Sequence, residues 1–487
     1  MEQIRFDFNN VFASAIGKTH GITDAELSVI KKDCANAHKH LSAVLKNSLN
    51  RVNLGLEWAA LPFQSDETIQ VINSLAKEIK KYDNVISLGI GGSYLGLKAA
   101  QDALSPWYYN EFDKSRKGLP RVYFEGNNLD PDTLSALLKN LNPKKTFVVV
   151  ISKSGETTET KAGFMIVEAW LKKAVGKHYG RQVVVITDPL SGSLRKKAND
   201  MRKNDRLSFR GLNLLKGVGG RFSELNMGLL HLAIIGIDIR QVLNGAKLMA
   251  ERCACPDLFK NPAYMYAAAH TILYKNKKKP IAILMPFSEL LKSTADWYVQ
   301  LLAESLGKKY SRVISVNQQG LESWQRGQVV NTGRTPVSCR GTNDLHSIQQ
   351  NNIEGENDKV ITFIRIEKFQ NDIKITEKSD LLSGRRFSEL LKLAQEATEW
   401  ALVRESRPNC TIIMPRITPF YWGQLLFFFE MAVAFEGELL KVNAFDQPGV
   451  EGYKNYMYYK LRKPGISEAI AKEIKDNPLI KKDKLIL

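Results

Sequence analysis

Short apolar runs that each end in a loop of small or hydroxylated residues constrain this chain most strongly. Val85–Leu88 (VISL) runs into GIGGSYLG, Arg121–Phe124 (RVYF) into GNNLDP, Thr146–Ile151 (TFVVVI) into SKSGETTET, and Val183–Thr187 (VVVIT) into DPLSGS. Runs of this length, β-branched and continuously apolar, read as strands buried on both faces. Helical patterns separate them, and that alternation builds a parallel sheet with helices on each side. A second set, Pro280–Met285 (PIAILM), Val313–Val316 (VISV), Val360–Ile366 (VITFIRI) and Thr411–Met414 (TIIM), predicts a second such unit. At 487 residues the chain exceeds one domain core, given about 150 residues per domain. The fold class is therefore α/β with mainly parallel sheets. The expected organisation is a helical segment over 1–44, one α/β unit over 45–230, a second over 231–440 and a C-terminal segment over 441–487. The boundary near 231 is soft, because His231–Ile239 (HLAIIGIDI) fits either unit.

Lys and Arg number 69 against 51 Asp and Glu, a formal charge of +18 that favours anionic partners. Apolar residues at 44% and charged residues at 25% exclude a disordered or collagen-like chain. The cysteines Cys34, Cys253, Cys255, Cys339 and Cys410 are sparse and odd in number, which argues against a disulfide framework. Cys253 and Cys255 lack a second ligand pair at zinc-like spacing, so buried free thiols and no metal are expected. The N-terminus has no signal-peptide pattern. The most apolar stretch, Leu425–Phe435, is interrupted by Glu430 and falls short of the roughly 20 residues that span a bilayer. A cytoplasmic protein with no membrane partner is the expectation. The basic runs Lys275–Lys279 and Lys481–Lys484 read as solvated loops. Without a helix-turn-helix or zinc module, no nucleic-acid partner is expected.

Several loops can carry chemistry. Gly89-Ile90-Gly91-Gly92-Ser93 lies where a buried strand turns into a helix, a place suited to an anion, although a tight turn reads equally well. Tyr94 stands where a dinucleotide fingerprint wants glycine, which counts against a nicotinamide enzyme. Ser152-Lys153-Ser154-Gly155-Glu156-Thr157-Thr158-Glu159-Thr160 gathers hydroxyls and a lysine at the positive end of a helix. That combination suits a phosphate monoester; the plain alternative is a hydroxyl-rich helix cap. Arg221, in Gly217-Val218-Gly219-Gly220-Arg221-Phe222-Ser223, is either an oxyanion stabiliser or a surface loop arginine. Gln300 and Glu304 share one helix face, with Glu304 near the C-terminal end, where a carboxylate opposes the dipole; a solvated glutamate is the commoner explanation of such a residue. His346, in Gly341-Thr342-Asn343-Asp344-Leu345-His346, is the candidate for proton transfer among the histidines. His231 reads as a core residue, and His38 and His40 as exposed. Gln447 and Lys454 flank a Pro448-Gly449 turn, with a structural turn and a surface lysine as the alternative.

Taken in order, GIGGS, SKSGETTET, GGRFS, Q-x-x-x-E, GTNDLH and FDQPGVEGYK resemble the glucose-6-phosphate isomerase (phosphoglucose isomerase) family in its shorter bacterial form, over about residues 85–455. The resemblance implies two sugar-isomerase-type three-layer αβα domains and a homodimer with its active site near the subunit interface. It implies that Ser152, Lys153, Ser154, Thr157 and Thr160 hold the phosphate, with Gly92 and Ser93 near the sugar and Gln300 and Gln447 lining the site. Arg221 would steady the enediolate and Glu304 would move the proton. His346, donated by the partner subunit, and Lys454 would serve ring opening. Glucose 6-phosphate and fructose 6-phosphate are the implied substrates, and no cofactor is needed. The chain departs from the family after Ser223, where Glu224 and Asn226 replace apolar or small residues, and this leaves the local helix register open. Two rivals stay open here: an isomerase that also takes mannose 6-phosphate or an amino-sugar phosphate, and a non-catalytic sugar-phosphate sensor.

Overall fold

The strands of the computed structural model, which describes residues 3–378 and 380–486, are β1 (Arg5–Asp7), β2 (Asn84–Leu88), β3 (Arg121–Glu125), β4 (Thr146–Ile151), β5 (Val183–Thr187), β6 (Arg210–Asn213), β7 (Ile281–Pro286), β8 (Lys308–Val316), β9 (Glu322–Thr332), β10 (Thr335–Ser338), β11 (Lys359–Ile366) and β12 (Asn409–Met414). The first sheet runs β3-β2-β4-β5-β6 with every pairing parallel. Its middle strands β2, β4 and β5 are buried along their whole length. Ile86, Val148, Val150, Val183 and Val185 pack with Phe164, Val167 and Leu171 of the Thr158–Val175 helix. Each such side chain contributes about 1.5–3 kcal/mol by leaving water.

From β2 the chain moves outward to β3, then crosses back to place β4 on the other side of β2. Where strand order reverses in this way, a crevice opens beyond the carboxyl ends of the strands. The GIGGS loop leaves β2 and the SKSGETTET loop leaves β4, so both border that crevice.

The second sheet runs β1-β12-β11-β7-β10, parallel except for β1 against β12. Two of its members differ from expectation. Val313–Val316 lies outside this sheet, in the antiparallel ribbon of β8 with β9. Val313 and Val316 are 49% and 61% exposed there, so this run lacks the two-sided burial that a central parallel strand requires. The sheet position belongs to β10, an edge strand that tolerates Pro336 because its outer side needs no ladder donor. In the N-terminal stretch expected to be helical, Arg5–Asp7 forms the opposite edge strand. The long Asp24–Lys46 helix follows, opened by a Thr23–Glu26 capping box.

Other residues also differ from the sequence reading. Lys279, in the basic run read as a solvated loop, is buried, with Nζ on the Asn357 side-chain oxygen at 2.7 Å and 3.2 Å from His20 Nδ1. His38 and His40 are partly buried rather than free in solvent: His38 Nδ1 lies 2.9 Å from the Tyr264 hydroxyl and His40 bridges Glu438 and Glu322. His231 is a core residue, 3.1 Å from Gln101 Oε1, and burial pushes its pKa down to about 3. The cysteines are free, and all but Cys255 are buried. Among the described residues no helix is long and apolar enough to cross a membrane.

The chain divides into two units, one ending at Ala444 and the other beginning at Phe445. The second unit holds a Pro448–Val450 turn and the helices Glu451–Lys460 and Glu468–Asp476.

Candidate active site

Arg221 sits on a single 3-10 turn, Gly220–Phe222, and is only 1% exposed. A guanidinium taken out of water needs its donors met. Nε donates to Ser305 Oγ at 2.8 Å, Nη1 to Glu304 Oε2 at 3.2 Å, and Nη2 to the Ala444 carbonyl. Glu304 and Gln300 stand one turn apart on the Lys292–Leu306 helix, and Gln300 Nε2 donates to Glu304 Oε1 at 3.1 Å. The helix C-terminus that disfavours a carboxylate at Glu304 is thus answered by a buried cation. Glu304 keeps 27% of its side chain exposed, so the carboxylate is held without being sealed.

Three loops meet around this pair. A Cβ on Gly92 would lie 1.9 Å from the Gly220 carbonyl oxygen, so the GIGGS and GVGGR main chains touch and only glycine fits between them. A Cβ on Gly91 would lie 3.0 Å from Gln300 Nε2, which puts this loop beside the glutamate helix. The Lys153 ammonium lies 3.8 Å from where Gly219 would carry a Cβ, next to the arginine turn. Ser93 ends the short 3-10 turn that leads into the Leu95–Leu104 helix.

The SKSGETTET loop is pinned to the end of β5: Ser152 N–H donates to the Ile186 carbonyl at 3.1 Å, and Thr187 Oγ1 donates to the Lys153 carbonyl at 3.0 Å. Ser152 Oγ accepts the Gly155 N–H and Ser154 Oγ the Glu156 N–H, both at 3.1 Å. Each serine hydroxyl therefore keeps its own hydrogen to donate. Thr157 holds the N-cap position of the Thr158–Val175 helix yet makes no side-chain cap bond. The plain reading of a hydroxyl cap fails at that residue. Thr160 is buried, and its hydroxyl donates to the Gly126 carbonyl at 3.3 Å, so it braces the loop from beneath. A cavity of about 140 Å³ lined by Ser152, Gly155, Thr160 and Ser193 lies beside the loop.

Within one unit the structure thus brings together Gly92, Lys153, Arg221, Gln300 and Glu304. His346 is exposed at the end of the Asn343–His346 turn, and no hydrogen bond among the described residues joins it to Arg221 or Glu304. Gln447 and Lys454 belong to the C-terminal unit, where Lys454 Nζ donates to Glu451 Oε1 at 2.8 Å. Partial burial lowers the Lys454 pKa, and the Glu451 carboxylate more than restores it, so the net direction is upward. Ser305 and the Ala444 carbonyl, which orient Arg221, were not singled out from sequence. The only signal for Ser305 is a hydroxyl next to Glu304 in a helix that is otherwise apolar on that side.

Fold and crevice define a doubly wound α/β protein with a lysine- and hydroxyl-rich loop at its strand ends, beside an arginine–glutamate pair. The phosphoglucose isomerase family profile matches residues 67–471. A glucose-6-phosphate isomerase of Carboxydothermus hydrogenoformans is 39% identical, with 96% of this chain and 96% of that protein covered. One of Acetivibrio thermocellus is 34% identical, covering 96% and 98%. A hypothetical protein from Thermus thermophilus superposes with a TM-score of 0.79 at 31% identity, covering 94% of this chain and 100% of that one. A glucose-6-phosphate isomerase from Chlamydia trachomatis shares the fold, with a TM-score of 0.69 at 22% identity over 86% and 80% of the chains. This chain belongs to the phosphoglucose isomerase family.

Proposed function

We propose that the chain interconverts glucose 6-phosphate and fructose 6-phosphate, with Glu304 as the group that carries hydrogen between C2 and C1. The observation that carries this reading is the convergence of Arg221 and Gln300 on the two oxygens of a partly open Glu304. In the forward direction Glu304 takes the C2 proton, and the bonding pair moves into a C1–C2 double bond. Charge gathers on the C1 oxygen, the hydroxyl proton passes from the C2 oxygen to the C1 oxygen, and Glu304 returns its proton to C1. Acid–base catalysis of this kind supplies about 10²–10⁴-fold. A preorganised donor such as Arg221 adds about 3–4 kcal/mol at the developing oxyanion.

Ser152, Lys153, Ser154 and Thr157 hold the phosphate, with Thr160 bracing their loop and Gly92 and Ser93 near the sugar. Phosphate contacts far from the reacting carbons fix orientation. Ring opening belongs to Lys454 and to His346 of the partner subunit, and Gln300 and Gln447 line the site. The exposed position of His346 in its own chain supports a role across a homodimer interface. A coupled assay with fructose 6-phosphate tests the reading. Turnover with exchange of the C2 hydrogen into solvent is the expected result, and purified enzyme that binds the sugar phosphate without turning it over would refute it.

A further inference from the structure

A second cavity lies against the Leu95–Leu104 helix and β3, and none of the residues assigned to the sugar phosphate lines it. Its volume is about 470 Å³, enough for a drug-sized ligand. Tyr94, Lys98, Gln101, Asp102 and Ser105 line it from the helix and its two capping positions, where spacings of three and four residues put them on one face. Two of these polar side chains are buried and incompletely used. Gln101 and Ser105 are each 7% exposed. His231 Nε2 lies 3.1 Å from Gln101 Oε1, and among the described residues the Gln101 amide nitrogen donates to nothing. Ser105 Oγ is buried with no hydrogen-bond partner. A buried polar group left unmet costs free energy, and folded proteins keep few of them.

The rest of the lining decides what could meet them. Trp107 and Tyr108 are 43% and 58% exposed, with ring centroids 6.1 Å apart and planes at 75°. A flat ring stacked on either one would meet the other edge to face, and aromatic quadrupoles favour both arrangements. The corner is held from behind. Tyr109 is buried and donates to the Pro120 carbonyl at 3.0 Å. Asn110 accepts the Val122 N–H at 2.9 Å and donates to the Val122 carbonyl at 2.7 Å. Tyr108 has φ +60°, a left-handed conformation that is costly for a bulky residue and that clusters at ligand clamps. Lys98 pairs with Asp102, and Glu111 adds a second carboxylate, so the lining offers no spare positive charge. In a chain of formal charge +18 this cavity is therefore ill suited to a phosphate.

We propose that this cavity is a ligand site for an uncharged, planar nitrogen heterocycle of nucleobase size. The ring stacks in the Trp107–Tyr108 corner, and Gln101 and Ser105 meet its polar edge. Stacking on aromatic side chains supplies affinity without charge. An amide donor and a hydroxyl that both donates and accepts suit an edge that carries ring nitrogens and exocyclic groups. The site is independent of the isomerase reaction.

Ligand-observed NMR on the full chain tests this, with adenosine, guanosine, cytidine and uridine as the probes. At least one should bind with Kd below about 1 mM. Saturating fructose 6-phosphate should leave that binding unchanged. The double variant Trp107→Ala, Tyr108→Ala should weaken it by about tenfold or more, and Ser105→Ala by about two- to tenfold. Both rings are exposed, so the double variant should keep the wild-type Tm, and Ser105→Ala decides the matter even if it does not. Four nucleosides without binding, displacement by fructose 6-phosphate, or affinity unchanged in the variants would each overturn the proposal. Tighter binding of the matching 5′-monophosphate through the same two rings would overturn the assignment to an uncharged ligand. A changed oligomeric state in the double variant, with no nucleoside bound by wild type, would give the corner to a subunit contact and overturn the proposal as well.

Discussion

Arg334 and Arg221 are equally buried arginines, each set against a glutamate, and they end differently. Arg334 gives Nε and Nη2 to the two oxygens of Glu436 at 2.9 and 2.6 Å, and the side chains are 0% and 1% exposed. Arg221 Nη1 meets Glu304 Oε2 at 3.2 Å, and Glu304 stays 27% exposed. A bidentate, sealed pair uses up the acceptors of its carboxylate and serves as a structural bolt. The looser pair leaves a carboxylate that is oriented yet reachable. What separates the two pairs is therefore the access left to the acid, at equal burial of the base.

That contrast breaks most sharply at Glu304. Glu304→Gln should reduce turnover by about 10²–10⁴-fold or more while affinity for a sugar-phosphate inhibitor stays within about twofold. A coupled assay beside calorimetry checks both halves. Glu436→Gln should do the reverse: it leaves Arg334 buried without its counter-charge, a loss of about 3–5 kcal/mol. Thermal unfolding should register that loss, with KM of the surviving folded enzyme unchanged. Between these extremes, Lys153→Ala or Thr157→Ala should weaken sugar-phosphate binding by about 1.5–3 kcal/mol, the range for hydrogen bonds to charged groups. Unchanged inhibition by a sugar-phosphate analogue would remove these residues from the phosphate loop.

The smallest effect concerns a third charged cluster. His40 Nδ1 lies 2.7 Å from Glu438 and Nε2 3.1 Å from Glu322. The Glu438 hydrogen bond raises the His40 pKa, against the lowering by burial. A folded-state value above the unfolded one gives stability that is full below the unfolded pKa and fades as pH rises through the folded pKa. His40→Gln should therefore lower Tm more at about pH 6 than at about pH 9. An equal loss at both would show that the histidine acts by packing.

Much of this was legible in the sequence. The strands β2, β4 and β5 were readable because burial on both faces leaves an unbroken apolar run. Pro336 hid β10, since a proline argues against a strand unless the strand is known to lie at an edge. Val313–Val316 misled for the opposite reason: β-branched residues also suit an exposed ribbon. At the site, local motifs announced the loops, and the family resemblance supplied roles for residues far apart in the chain. What stayed invisible was long-range charge pairing. Nothing near Arg221 in sequence announces Ser305 or the Ala444 carbonyl.

The contact of Gly92 with Gly220 has one further consequence. Because backbone meets backbone there, main chain alone sets the turn bearing the guanidinium against the rim of the first sheet. The span from the lysine loop to Glu304 is then a length measured by main chain. Side-chain substitutions can retune grip or rate, whereas accommodating a longer or shorter sugar would require the chain itself to be re-routed.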